Sequence, residues 1–186
     1  MKINSIQYLY ALIPIIFAGI SNMIFVKSKW LSSWYIPLDN KMVLRDGHRL
    51  FGDNKTWKGF IGMIVLTAVW TGILRIYPEK SMLPKPIWWF YYFGTMLGLA
   101  YVLFELPNSF IKRRLNIPPG KNVSGTKGVF FKIIDQLDSL IGCAIVLGFF
   151  TPVSFMQFCL IILVTSSVHY LINIIMYFVK LKSQAG

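Results

Sequence analysis

Residues 105–138 decide the fold, and they read ELPNSFIKRRLNIPPGKNVSGTKGVFFKIIDQLD. The segment combines a proline break, an Asn-Ser pair, a basic triplet, a Pro-Pro-Gly turn and an Asp-x-x-Asp pair. Long apolar runs stand on both sides of it. We therefore interpret the segment as a polar connection between two membrane spans, and the rest of the chain as its support at a membrane surface.

The composition is that of an integral membrane protein. Of the 186 residues, 55% are hydrophobic and only 14% are charged, whereas a soluble domain carries about 25% charged residues. The apolar blocks are long enough to cross a bilayer at a rise of ~1.5 Å per residue. We predict an all-α membrane protein with a single domain over 1–186. We place its five transmembrane helices at 7–26, 59–76, 87–104, 133–150 and 153–179. We place its two polar cytoplasmic loops at 27–58 and 105–134.

The positions of the basic residues predict the orientation. Fifteen of the 19 lysines and arginines fall in the two long loops and the carboxyl-terminal tail. Because cytoplasmic segments carry the excess of lysine and arginine, we place both loops and the carboxyl terminus in the cytoplasm and the amino terminus outside the cell membrane. Six of the seven carboxylates lie on the same side, so we expect the chemistry there.

Asp135 and Asp138 are candidate metal ligands. Their spacing of three puts both carboxylates on one face of a helix, at the mouth of the fourth span, where an uncompensated charge pair is costly. Mg²⁺ prefers one or two carboxylates completed by phosphate oxygens and water. The alternative is a helix start whose acids suit the helix dipole.

Ser109, Lys112 and Arg113 share a helical face by their spacing. Cations beside a carboxylate pair are what the binding of a polyphosphate through a metal requires, since they neutralise the charge that the metal does not. The alternative is that the cluster serves topology and attraction to anionic lipids.

The first loop contains the run GDNKTWKG at 52–59. Exposed amides with Lys55 and Thr56 could face a phosphate, although the run lacks the glycine that precedes the lysine of a P-loop. We interpret it as a turn facing a ligand. The alternative is a plain turn that ends in a helix cap. His169, in the fifth span, is expected to hydrogen-bond a neighbouring helix.

Three segments carry a resemblance to a known family: FGDNKTWKG at 51–59, ELPNSFIKRRL at 105–115 and DQLD at 135–138. The chain resembles the CDP-archaeol synthases, membrane lipid cytidylyltransferases related to the CDP-diacylglycerol synthases. It lacks the His-Gly-Gly element of the larger diacylglycerol enzymes and has Gln136 where they have arginine. These differences place it with the smaller family.

The resemblance implies transfer of CMP from CTP to a lipid phosphate, either archaeol-type or phosphatidic acid, with release of pyrophosphate and with Mg²⁺ as cofactor. It implies a catalytic role for Asp135, Asp138 and Lys112. It also implies CTP, the lipid phosphate and the bilayer as partners, without nucleic acid, and a groove between the spans for the lipid chains. The residues expected to bind the nucleotide are Asn54, Lys55, Thr56, Asn108, Ser109 and Arg113, and Asp46 and Asp53 are further candidates for metal or ribose contacts.

A non-catalytic carrier or anionic-lipid scaffold is the alternative function. It accounts for the spans and for the formal net charge of +12. It does not account for the acids gathered in the same loops as the cations. A carrier is also expected to place charged residues near the middle of its spans, and the central parts of these spans have none.

Overall fold

Five long α-helices form the protein, whose structure is a computed structural model that describes residues 5–74, 85–121 and 123–181. Each helix is long and apolar enough to cross a membrane. Within the described ranges there are no β-strands, only two isolated bridges in the first loop. The predicted all-α fold with five membrane spans is therefore confirmed. The helices are α1 (Ser5–Lys27), α2 (Trp57–Leu74), α3 (Ile87–Arg114), α4 (Gly125–Phe150) and α5 (Phe155–Phe178).

The predicted loop at 105–134 is wrong over most of its length. Helix α3 runs through Pro107 to Arg114, and α4 already begins at Gly125. A proline inside a membrane helix is tolerated where neighbouring groups satisfy the backbone atoms that it frees. The extension of α3 also packs its polar face on α4, and these contacts stabilise the helical conformation beyond Phe104. The predicted end of the second span at residue 76 lies outside the described residues.

Helices α2 and α3 pack closely because glycines lie at their contact. A Cβ atom on Gly98 would lie 2.7 Å from the Cα of Ile64, and one on Gly94 would lie 2.7 Å from the Cα of Ala68. Small residues of this kind let membrane helices approach backbone to backbone. Helix α3 thereby becomes the centre of the bundle, with α2 on one side and α4 on the other.

One end of the bundle carries nearly all the charge, and we call it the polar end. Helices α1, α3 and α5 finish there, as shown by the hydrogen bonds from Lys27 Nζ to the Lys180 carbonyl and from Arg114 Nη1 to the Arg49 carbonyl. Every described lysine and arginine except Lys85 belongs to this end. The predicted segregation of charge is therefore present in the fold, while the side of the membrane that it faces stays a prediction.

Candidate active site

Asn108 and Lys112 of α3 face the two aspartates of α4. The amide nitrogen of Asn108 donates to Asp135 Oδ1 at 2.6 Å and to Asp138 Oδ2 at 2.8 Å. The ammonium of Lys112 donates to both oxygens of Asp135 at 2.5 Å. The spacing of four residues on α3 and of three residues on α4 puts each pair on one face of its helix, so that the two pairs can meet. The predicted metal ligands and the predicted phosphate-binding cation thus form a single cluster.

Two polar atoms of this cluster are buried without a hydrogen-bond partner among the described residues, Asn108 Oδ1 and Arg113 Nη1. Asn108 is 6% exposed and Arg113 is 7% exposed. The Nε of Arg113 makes only a long bond, 3.4 Å, to the Ser109 carbonyl. A buried guanidinium without full pairing is costly. The cluster is therefore suited to receiving an anion.

The first loop joins the same site through Lys55. Its ammonium forms an ion pair with Glu105 of α3 at 2.6 Å. The next residue, Thr56, caps α2, because its hydroxyl oxygen accepts a hydrogen bond from the Gly59 amide at 3.2 Å. The turn thus lies at the cavity and also caps a helix, as the alternative interpretation expects, while its contact with a ligand stays a prediction.

A cavity of about 900 Å³ connects these groups. Asp138 does not line the cavity and is joined to it through Asn108. The cavity gives most of the predicted site residues one common space. The predicted residues that line it are Asn54, Lys55, Thr56, Asn108, Ser109, Lys112, Arg113 and Asp135.

Asp46 and Asp53 lie apart from this cavity. Asp46 forms an ion pair with Arg114 at 3.2 Å, and Asp53 forms one with Arg49 at 3.0 Å. The His48 amide, which donates to the Asp46 carboxylate, lowers the pKa of Asp46, and Arg114 lowers it further. Both acids already serve the loop, and their predicted contacts to a metal or ribose stay predictions.

Asp39 organises the first loop and was not predicted as a key residue. Its fully buried carboxylate accepts bonds from the Arg49 guanidinium at 2.6 Å and 3.2 Å, and from the amides of Lys41, Phe51 and Gly52 at 3.0–3.1 Å. Burial alone would raise the pKa of Asp39, but these donors lower the pKa well below its usual range. No sequence pattern distinguishes this acid from its neighbours in the loop.

Glu105 is the second residue that the sequence interpretation missed. It precedes Asn108 by three positions and Lys112 by seven, so a helix through this segment puts all three on one face. That face could be identified only by extending α3 beyond Phe104. Placing the end of the span at Phe104 concealed the relation.

Polar contacts continue deeper in the bundle, between α5 and its neighbours. His169 lies 3.4 Å from the hydroxyl of Tyr101, which confirms the expected contact with a neighbouring helix. Asn173 donates to Gln136 at 2.9 Å, and both side chains are buried. All four residues line the cavity on its way from the polar end into the apolar part of the bundle.

The fold is thus a membrane protein of five helices whose acids and cations gather in a cavity at one end of the bundle. A solved structure described as an intramembrane enzyme for archaeal membrane lipids biosynthesis has a similar fold, with a TM-score of 0.66 over 92% of this chain and 95% of that chain. At 20% sequence identity this likeness shows the fold alone.

The chain belongs to the CDP-archaeol synthase family: the sequence model of the CarS-like CDP-archaeol synthases matches residues 2–185. It is 34% identical over 154 residues to the CDP-archaeol synthase of Pyrococcus furiosus, covering 79% of this chain and 81% of the relative. It is also 31% identical over 180 residues to that of Methanothermobacter thermautotrophicus, covering 97% and 93%. The resemblance stated from the three segments is confirmed, and a non-catalytic carrier or scaffold is not favoured.

Proposed function

We propose that this protein is a cytidylyltransferase that transfers CMP from CTP to the phosphate of an archaeol-type lipid. A lipid-phosphate oxygen attacks the α-phosphorus of CTP, and the bond from that phosphorus to the oxygen of the departing pyrophosphate breaks. No protein nucleophile is required, so the task of the chain is to position the two phosphates and to neutralise their charge. Membership of the CDP-archaeol synthase family supports this reaction.

The observation that carries the proposal is the buried Arg113 guanidinium, which lines the cavity and has an Nη1 atom without a partner in the described part of the chain. An anion placed against it would supply that partner. Lys112 and Lys55, each 15% exposed at the side chain, line the same cavity and add positive charge. We assign these three cations to the phosphates. Asn54, Thr56 and Ser109 offer neutral hydrogen-bonding groups to the nucleotide.

We propose Mg²⁺ as the cofactor, held by Asp135 and Asp138. Asn108 would be a further ligand once its side chain turns the amide oxygen toward the ion, in place of the nitrogen that donates to both carboxylates. The residues fit such an ion, because both carboxylates are hard oxygen donors and Asn108 Oδ1 is buried without a partner among the described residues. No three His, Cys, Asp or Glu side chains cluster within the described ranges. That leaves positions for phosphate oxygens and water, as Mg²⁺ prefers. When bound, Mg²⁺ would stabilise the charge that develops on the triphosphate.

We propose further that the polar end faces the cytoplasm, with the amino terminus outside and the carboxyl terminus inside. The concentration of lysine and arginine at this end supports that orientation, and CTP is a cytosolic substrate. The lipid would then enter from the cytoplasmic leaflet, with its phosphate at the polar end and its chains in the apolar part of the cavity.

The test is pyrophosphate release by the purified protein in detergent, with CTP, Mg²⁺ and either a geranylgeranyl ether glycerol phosphate or phosphatidic acid. We expect release that requires the ether lipid and stops with EDTA. Lys127→Gln, which changes a cation outside the cavity, is the matched control for Lys112→Gln. If neither lipid supports release from folded protein that still binds anionic vesicles, the scaffold function replaces this proposal.

A further inference from the structure

The apolar part of the cavity is a groove between α1 and α5. Its walls are largely apolar, although Asn22, Thr165, His169 and Asn173 also line it. The two helices run in the same direction, since both finish at the polar end, where Lys27 Nζ lies 3.2 Å from the Lys180 carbonyl oxygen. The groove opens directly from the space that holds Lys112, Arg113 and Asp135. The aliphatic residues that form the two walls include Ile13, Ile16, Ile20, Val164, Val168 and Ile172.

The groove is longer than one leaflet of a bilayer. Its lining on α1 runs from Lys27 to Tyr10, which is about 25 Å along the helix axis at ~1.5 Å per residue. Half of a hydrocarbon core ~30 Å thick is about 15 Å. The hydroxyl of Tyr10 donates to the Leu74 carbonyl at 3.2 Å, which fixes this side chain at the far end. A chain that filled the groove would therefore pass the middle of the membrane.

Gly19 lies near the middle of this groove. A Cβ atom on Gly19 would meet no other atom within 4 Å, although the residue lines the cavity. The neighbouring lining positions on α1 are isoleucine, asparagine and methionine, which occupy space that glycine leaves open. A large side chain at this position would separate the half of the groove next to the polar site from the half that ends at Tyr10.

We infer that the groove selects the length of the lipid's hydrocarbon chain, and that Gly19 keeps its far half accessible. This inference rests on the proposed function, because the chain must be attached to the phosphate that reacts at the polar end. The walls and the continuity with the charged site both indicate a hydrocarbon chain as the occupant. Because the chain comes from a membrane or micelle, the preference depends on packing contacts with the groove walls and not on leaving water. A long chain that reaches past Gly19 makes more of these contacts than one that stops before it.

The experiment compares Gly19→Trp with Gly148→Trp on two ether lipid phosphates, one with geranylgeranyl chains and one with geranyl chains of half that length. Gly148 is the matched control, because a Cβ there also meets no atom within 4 Å, but it is exposed and does not line the cavity. The readout is the ratio of kcat/KM for the long lipid to kcat/KM for the short one. Partial unfolding lowers both rates and leaves this ratio unchanged.

We expect the wild type to prefer the long chain, and Gly19→Trp to lower the ratio by about tenfold, which corresponds to the loss of roughly ten heavy-atom contacts. Turnover of the short lipid and the ratio of Gly148→Trp should stay unchanged. Gly19→Leu should give a smaller shift in the same direction and serves if the tryptophan variant does not fold. A wild type without chain-length preference, or a Gly19→Leu ratio equal to that of Gly148→Leu, would overturn the inference. Absence of product from both lipids would instead overturn the proposed function, and the inference with it.

Discussion

Two charged clusters lie at the polar end, and they differ in how completely their atoms are paired. The loop cluster consists of Asp39, Arg49 and Asp53. Both carboxylate oxygens of Asp39 accept hydrogen bonds from the guanidinium or from backbone amides, and Arg49 also reaches Asp53. The cluster is closed upon itself and fixes the shape of the first loop.

The candidate active-site cluster, formed by Asn108, Lys112, Arg113, Asp135 and Asp138, is paired only in part. Asn108 Oδ1 and Arg113 Nη1 are buried without partners in the described part of the chain, and a cavity opens beside them. Buried polar atoms are nearly always hydrogen-bonded in folded proteins. The difference indicates that the loop cluster stabilises structure, and it supports our proposal that a ligand completes the candidate active-site cluster.

The largest effect should come from Asp138→Asn, which removes a charge from the proposed metal site. We expect turnover to fall by about 10³-fold. The new amide oxygen can still accept the Ser139 amide, whereas Asn108 Nδ2 loses its acceptor, so the protein should stay folded with a somewhat lower thermal midpoint. The control is Asp53→Asn in the loop cluster, whose side chain is 69% exposed. Steady-state rates and the thermal midpoint measure both. Full activity of Asp138→Asn would remove the metal assignment, and an equally large loss in Asp53→Asn would return that residue to the metal site.

Arg113→Gln and Arg49→Gln should distinguish the two clusters. The first variant should lose activity, and the second should lose stability. Removing Arg113 should lower kcat/KM for CTP by about 10²-fold, since a charge-assisted contact to phosphate is lost, without lowering the thermal midpoint. Removing Arg49 leaves the buried Asp39 without its cation and should lower the midpoint by several degrees. If Arg113→Gln were the less stable variant, its guanidinium would be structural and the comparison would fail.

Asp39→Asn should cost about 3 kcal/mol of local stability, because it breaks the buried pair at its centre. Activity should fall by less than in Asp138→Asn or Arg113→Gln, since Lys55 keeps its contact with Glu105 on α3. Hydrogen exchange of the amides at 41–52 is the measurement. Asp46→Asn breaks a more exposed pair with Arg114, worth about 0–1 kcal/mol, and is the control. Equal exchange in the two variants would contradict the central role of Asp39.

The sequence predicts the fold well because hydrophobic length dominates it. Five apolar runs give five helices, and the residues of 105–138 identify the segment that holds the site. The sequence predicts the helix boundaries around that segment poorly. Hydropathy marks where the apolar run ends near Phe104, but packing against α4 decides where the helix ends, at Arg114.

The site shows the same limit. Asp135, Asp138 and Lys112 follow from spacing within single helices, which a sequence displays directly. The pairing of Lys55 with Glu105 and the burial of Asp39 depend on contacts between separate segments, which no local pattern contains. Gly19 is a further example. Glycine is common in membrane helices, so only the groove that it lines in the structure indicates a role for it.

The smallest effect concerns pH: the stability that the loop cluster contributes should not change between about pH 7 and pH 5. The pKa of Asp39 in the folded state lies well below the value of about 3.9 for an unfolded aspartate. A lowered pKa gives stability that is fully present above the unfolded value and is lost only as the pH falls through the folded one. The difference in thermal midpoint between wild type and Asp39→Asn should therefore stay constant from about pH 7 to pH 5. If the difference in thermal midpoint became smaller within this range, the Asp39 carboxylate would be taking up a proton there. The carboxylate oxygens would then not be fully paired with the donors of the loop cluster.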